Sequence, residues 1–415
     1  MIDLTALPAT QRWLDPATYW PGITDATREL DPPCAVIHLG ALAHNTHDML
    51  RRAGGKPIRV ASKSVRVRDV LDAVLALSGY EGVLAYTLSE ALWLAADEPG
   101  RPGIRDVVVG YPTAERAAIA RLAHDASLAS RVTLMVDSVA QLDLVDAVAP
   151  PGRREPVRVA LELDASWRGP AGRVGVWRSP VRTAAAARTL AEHIARRPGF
   201  RLVGMMSYEA QIAGQGDDPA GRPAFARTVR WMQRQSKAEL LERRAAAVAS
   251  VRQVAELEFV NGGGTGSLEF TSSDASCTEI AAGSGLFGGH LFDGYRGFTP
   301  APATAFALSV VRRPKSDTAT VLGGGWIASG PAGDDRMPRP VWPERLVMAP
   351  REMAGEVQTP LSGVAAEPLR PGDRVWFRHT KSGELSEHVN EFALVGDGGI
   401  SGAAATYRGE GKAFL

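Results

Sequence analysis

The chain has little with which to build covalent cross-links. Two cysteines, Cys34 and Cys277, are all that its 415 residues offer. A disulfide framework is excluded, and a reducing cytoplasm is the expected setting. Long apolar runs are also missing. No stretch reaches the roughly 18 residues a bilayer span needs, and the first twenty residues lack the basic and apolar regions of a signal peptide. Net charge is nearly absent, at a formal +1, so nothing in the overall electrostatics calls for nucleic acid or an acidic membrane. Lysine is scarce as well: only Lys56, Lys63, Lys237, Lys315, Lys381 and Lys412 occur.

One of those lysines has an unusual neighbourhood. Ile58-Arg59-Val60-Ala61 reads as a short buried strand, and Ser62-Lys63-Ser64 follows directly. An ammonium at the end of a buried strand costs several kcal/mol or loses its proton. Proton loss is what a Schiff-base lysine requires. A lysine snorkelling from a strand edge is the other reading of the same pattern.

Around this strand the chain alternates. Apolar runs at 34–39, 58–61, 82–86, 106–111, 131–137, 157–164, 201–208, 257–267 and 278–287 are separated by segments of helical periodicity, including a long helix at about 221–253. Strand–helix alternation means parallel strands with crossover helices, and about eight units point to a closed (β/α)8 TIM barrel. An open doubly wound sheet is the competing architecture. It is disfavoured because no GxGxxG opens a helix after the first strand. From about 295 the segments become short and broken by Pro, Gly and Asp, which predicts an antiparallel β domain. The expected divisions are an N-terminal segment, 1–34, packed on the β domain, a barrel over 35–295, and the C-terminal β domain over 296–415.

In such a barrel, chemistry belongs at the C-terminal strand ends. Lys63, Asp137, Asp164, Tyr208, the run Asn261-Gly262-Gly263-Gly264-Thr265-Gly266-Ser267, and Gly283-Ser284-Gly285 fall there. Glycine-rich turns let backbone N–H groups approach an anion. An early lysine with two late glycine turns suggests a phosphate-bearing aldehyde, pyridoxal 5'-phosphate, held by Lys63 at one end and by Thr265 and Ser284 at the other.

The order of motifs carries a resemblance over nearly the whole chain: the early lysine, Gly172-Arg173-Val174-Gly175, Tyr208-Glu209, Gly262-Gly263-Gly264-Thr265-Gly266, then Thr278-Glu279 before the second glycine turn. The chain resembles the alanine-racemase-like (fold-type III) pyridoxal-phosphate enzymes, and more closely their D-threonine aldolase and D-serine dehydratase branch. The resemblance implies a barrel followed by a β domain, and a homodimer. It makes Lys63 the catalytic and cofactor-bearing lysine, puts Arg173 beside the cofactor's phenolic oxygen and Tyr208 against its ring, and gives Gly263, Gly264, Thr265, Ser284 and Gly285 to its phosphate. It implies a lyase acting on a D-amino acid, β-hydroxylated, by retro-aldol cleavage or dehydration. Racemisation or epimerisation is the alternative, and a non-catalytic pyridoxal-phosphate-binding protein a further one.

Departures from the family pattern are specific. Racemases carry an arginine on the pyridine nitrogen where this chain has Ala281. The lyase branch has histidines where Ala61 and Gln211 stand. It also binds a divalent metal through His-x-Cys or His-x-Asp, and here the segment reads His379-Thr380-Lys381. His379 matches the first ligand and is the expected second catalytic residue. An ammonium at 381 repels a cation, which leaves Glu384, Glu387 or His388 as substitute ligands, or Lys381 in place of the metal's charge, and the metal itself open.

Overall fold

The computed structural model describes residues 2–170, 172–331 and 333–415. Its strands, in chain order, are β1 (Cys34–His38), β2 (Ile58–Ala61), β3 (Tyr80–Ala85), β4 (Val107–Val109), β5 (Val132–Val136), β6 (Val157–Glu162), β7 (Trp167–Gly169), β8 (Gly172–Val174), β9 (Phe200–Ser207), β10 (Phe259–Gly262) and β11 (Glu279–Ala282). β12 (Thr304–Lys315), β13 (Thr318–Leu322), β14 (Arg339–Trp342), β15 (Val347–Met348), β16 (Gln358–Ser362), β17 (Arg374–Arg378), β18 (Glu391–Gly396) and β19 (Gly399–Ala405) complete them. The chain forms two compact units. One takes Met49–Lys63, Ser78–Ala282 and Phe414–Leu415; the other takes Met1–Asp48, Ser64–Leu77 and Gly283–Ala413. Both units are therefore discontinuous in sequence.

In the first unit eight parallel strands close into a barrel, in the order β10-β11-β2-β3-β4-β5-β6-β9. Strands buried on both faces become continuous apolar runs, and β4 is three valines, all buried. The two faces go to different cores. Val107, Val109, Leu134, Val136, Val159 and Leu161 pack with helix residues such as Leu122, Leu142 and Ile194. Val108, Met135, Ala160, Met206 and Phe259 form a separate interior cluster. Arg59 joins the interior from β2. Its guanidinium donates to Glu279 Oε1 at 2.7 Å and to Asp106 Oδ2 at 2.7 Å, and lies 5.1 Å from the Phe259 ring centre. Gly82 makes room for it. At that position, with φ +69°, a Cβ would sit 2.5 Å from Arg59 Nη1.

A second buried arginine fastens the far side of the barrel. Arg244 projects from the long helix Pro223–Arg252 and donates to Glu209 Oε2 at 2.8 Å and Asp274 Oδ2 at 2.7 Å, with Cys277 Sγ 3.3 Å away. Glu209, which no solvent reaches, also accepts from the Gly263 N–H at 3.1 Å, Ser267 Oγ at 3.1 Å and Thr271 Oγ1 at 2.6 Å. One carboxylate thus ties the end of β9 to the turn after β10.

The second unit is a nine-stranded sheet ordered β15-β16-β13-β12-β1-β18-β19, with β17 pairing β12 and β14. Pairing is antiparallel except between β1 and β18. This corrects the place of the first expected barrel strand. β1 lies between β12 and β18, and its central position explains the continuous apolar run that made it look like a barrel strand. The N-terminal helix Pro16–Ala26 belongs to the same unit: Trp376 Nε1 donates to Thr24 Oγ1 at 2.8 Å, and Trp20 stacks on Trp376 at 6.2 Å. Among the described residues no helix is long and apolar enough to cross a membrane.

Removing one partner of a buried ion pair costs about 3–5 kcal/mol. Arg244→Met, which strands two buried carboxylates, is expected to lower stability by at least that much, as measured by urea unfolding. A loss under about 1 kcal/mol would mean the network contributes little.

Candidate active site

Lys63 follows β2 by two residues, in the single turn Ser62–Ser64. The turn is held from below, because Ser62 Oγ donates to Leu84 O at 3.1 Å on the neighbouring strand. Lys63 Nζ donates to Tyr111 Oη at 2.8 Å. Tyr111 follows β4 by two residues, as Lys63 follows β2, and the Gly110 N–H fixes that strand end by donating to Ala85 O at 2.8 Å. Tyr208 comes directly after β9. Both phenol rings lie under one guanidinium: Arg178 Cζ is 5.1 Å from the Tyr111 ring centre and 4.8 Å from that of Tyr208. The ends of β2, β4 and β9 and one loop thus come together around Lys63, at the barrel end where (β/α)8 sites are found.

Charge and burial act in opposite senses on these phenols. Burial pushes Tyr111 up, but the charges of Lys63 and Arg178 and their hydrogen bonds more than offset it, and the phenol ends below its ordinary value. Tyr208 is more deeply buried, and despite the same two cations its phenol is raised. The third titrating group is Glu162, the last residue of β6. Its Oε1 lies 3.7 Å from Arg178 Nη1. Burial pushes its carboxyl up to about 7; Arg178 opposes the rise, while Asp137 and Asp164 add to it. Asp137, also raised by burial, accepts from Gln141 Nε2 at 2.8 Å, just ahead of the Ser138 cap of the helix Val139–Val148.

Arg173 is elsewhere. Its guanidinium donates to Asp164 Oδ1 at 3.1 Å and Val176 O at 2.9 Å, and stacks on exposed Trp177 at 4.2 Å. Asp164 also accepts from Ser166 and Arg182. The two sequence candidates therefore brace the hairpin β7–β8, and Arg178, five residues on, is the arginine that faces the tyrosines. Neither Arg178 nor Tyr111 was singled out from the sequence. The available signal for Tyr111 was an aromatic residue in Gly110-Tyr111-Pro112 at a strand end.

The glycine turn after β10 is tight. At Gly263, with φ +86°, a Cβ would sit 2.6 Å from Ile280 Cγ2; at Gly264 it would sit 2.9 Å from Ala213 Cβ and 3.2 Å from Tyr208 Cε2. Side chains are excluded there, so the backbone itself is the available surface, next to the edge of Tyr208. Thr265 opens the following turn and is buried. Gln211, where the family pattern has histidine, donates to Ala165 O at 2.8 Å and Ser236 Oγ at 2.9 Å and fills a structural role. In the sheet unit, Ser284 and Gly285 begin a short helical turn two residues beyond β11, and Ser284 Oγ lies 2.9 Å from Ser64 Oγ.

His379, at the end of β17, is buried. Its Nδ1 is 3.2 Å from Thr304 Oγ1, and its Nε2 has no hydrogen-bond partner. Burial, reinforced by Arg378 and His290, pushes it down to about 3, so the ring is neutral. The residues named as substitute ligands have other contacts. Glu387 pairs with Arg66 at 2.5 Å, Glu384 accepts through Oε1 from Ser329 Oγ at 3.1 Å while its Oε2 has no hydrogen-bond partner, and His388 stacks on Trp326 at 4.9 Å. Among the described residues no three His, Cys, Asp or Glu side chains stand together as a ligand set. With a lysine at 381, the donors do not fit a divalent ion.

Glu162 gives a test of these electrostatics. Its folded carboxyl holds a proton more tightly than the unfolded chain's, so its contribution to stability is greatest below 4.5 and falls as pH rises to about 7. Glu162→Gln is expected to flatten that fall in urea midpoints taken across the same window. An unchanged pH slope would show that Glu162 titrates normally.

With this geometry in place, the relatives can be compared. Residues 37–290 match the family model of the alanine racemase N-terminal domain. The 3-hydroxy-D-aspartate aldolase of Paracoccus denitrificans is 31% identical over 271 residues, covering 64% of this chain and 62% of that protein's length. The D-threonine aldolase of an Arthrobacter species is 25% identical over 314 residues, covering 72% of this chain and 73% of its own. The crystal structure of D-threonine aldolase from Filomicrobium marinum superposes with a TM-score of 0.73 at 20% identity, over 93% of this chain and 97% of that one, and shares the fold. With the family model matching more than half of its length around the lysine-bearing barrel, this chain belongs to the alanine racemase N-terminal domain family.

Proposed function

We propose that the chain is a pyridoxal 5'-phosphate-dependent lyase that acts on a β-hydroxylated D-amino acid, by retro-aldol cleavage or by dehydration. The observation that carries this is the amine of Lys63 at a barrel strand end, hydrogen-bonded to one phenol and sharing Arg178 with a second. The curated relatives named above, a 3-hydroxy-D-aspartate aldolase and a D-threonine aldolase, support the substrate class.

The donor set fits the cofactor. Lys63 supplies the amine for its aldehyde, Tyr208 an aromatic face, and the turn Gly263–Thr265 a backbone surface from which side chains are excluded. Ser284 and Gly285 are assigned to the same phosphate by the family pattern. Arg178 takes the part that the resemblance gave to Arg173, because Arg173 is committed to Asp164. When bound, the cofactor supplies an electron sink for the carbon that loses a substituent. Lys63, once its amine is free, is the base on that side. Ala281 places no cation where racemases have one, which favours the lyase reading over racemisation. His379, in the sheet unit, is a neutral imidazole whose Nε2 has no hydrogen-bond partner, and the family pattern makes it the second catalytic residue. We assign no step to a metal, because the donors around His379 do not suit one. Cytoplasmic location is supported by the free thiols Cys34 and Cys277, and a homodimer by the family resemblance.

Purified protein given pyridoxal 5'-phosphate is expected to show a visible absorption band that Lys63→Ala abolishes. It should release aldehyde or keto acid from D-threonine, D-serine or 3-hydroxy-D-aspartate. Exchange of the α-hydrogen with the enantiomer as sole product would replace this reading by racemisation. Activity is expected to survive exhaustive chelation; its loss, with recovery on adding a divalent ion, would show that His379 finds ligands after all.

A further inference from the structure

We propose that Tyr111 is a positioning residue that sets the protonation of Lys63, receiving a proton from its ammonium so that the amine is free to act. This rests on the reading of Lys63 as the cofactor-bearing lysine. The geometry is direct. Nζ and Oη are 2.8 Å apart, and the two residues stand at equivalent places two positions beyond β2 and β4. Tyr111 is partly exposed as a residue, with a largely buried phenol. The strand end that carries the phenol is fixed: the Gly110 N–H donates to Ala85 O, and a Cβ at Gly110 would lie 3.1 Å from Leu84.

Only the phenolate of Tyr111 can take a proton from an ammonium, and a largely buried phenolate forms only where nearby cations stabilise it. Here Arg178 lies over the ring and provides that charge. The transfer balances within the pair: an N–H bond of the Lys63 ammonium breaks, an O–H bond forms on the Tyr111 phenolate, and the products are a neutral amine and a neutral phenol. The groups acting on Tyr111 come from several strand ends. Lys63 and Arg178 lower its phenol against the effect of burial. Tyr208 shares the same guanidinium, and Glu162 lies 3.7 Å behind it. As Glu162 ionises it neutralises part of the Arg178 charge and weakens the stabilisation of the phenolate. The cluster therefore couples the state of the lysine to a carboxyl that does not contact it.

The test uses the full-length protein loaded with pyridoxal 5'-phosphate. Tyr111→Phe is expected to take up cofactor and show the visible band, yet lose about 10²-fold or more in kcat with little change in KM, and to shift the pH midpoint of the band. Replacing Tyr111 by 3-fluorotyrosine, which keeps the shape and makes the phenol more acidic, should move the acidic limb of the kcat profile to lower pH. Wild-type kcat and an unmoved pH midpoint in Tyr111→Phe would overturn the proposal. So would an unmoved limb in the fluorotyrosine protein, which also covers the case in which Tyr111→Phe fails to fold. Loss of the band in Tyr111→Phe with its fold intact would overturn it too, by making Tyr111 a cofactor-binding group. Failure of the underlying reading looks different: the Lys63→Ala protein would then retain the band.

Discussion

Arg244 is buried between two carboxylates, and much of the barrel's functional end depends on that arrangement. A guanidinium in so apolar a place is tolerated only when its charge is matched and its protons are accepted. Glu209 and Asp274 match the charge and accept from both terminal nitrogens, leaving only Nε without a partner. Glu209 then has capacity left for the Gly263 N–H and two hydroxyls, so the charge balance of the core becomes the geometry of the glycine turn. The long helix, the end of β9 and the turn after β10 are held in one network. Such a network is intolerant of partial loss, because each member satisfies another's buried polar atoms. Tyr208, the neighbour of Glu209, has its position settled by the same anchoring.

Around Lys63 the electrostatics differ in kind. The inner network is charge-matched and tightly hydrogen-bonded, whereas here a guanidinium, an ammonium, two phenols and a carboxyl share charge loosely and at longer range. Tyr111 and Tyr208 feel the same two cations yet shift in opposite directions, because Tyr208 is the more deeply buried. The site thus holds two phenols with different proton affinities beside a carboxyl raised to about 7. That property suits repeated proton movement between a lysine and its surroundings.

Much of this could be read in the chain. The barrel followed from alternating periodicities, and Lys63 from the scarcity of lysines together with a buried strand running into it. The glycine turn was legible because closely approached backbone requires glycine. What was not legible has physical causes. β1 is buried on both sides like a barrel strand, and an apolar run does not say which sheet will bury it. Arg173 and Arg178 lie in one loop, and only the path of the β7–β8 hairpin decides which guanidinium Asp164 captures. Tyr111 has no pattern of its own beyond its place after a strand, and its role emerges only when two non-adjacent strand ends are brought together. The neutral state of His379 depends on burial among residues far away in sequence.

The Cys277 thiol completes the Arg244 cluster, and burial there pushes it up to about 12. Since the thiolate is the reactive form, a thiol so buried and so weakly acidic is inert to oxidants and alkylating agents while the core is closed. Its modification rate thus becomes an internal clock. It measures how often the knot beneath the glycine turn comes undone, a motion that ordinary unfolding curves average away.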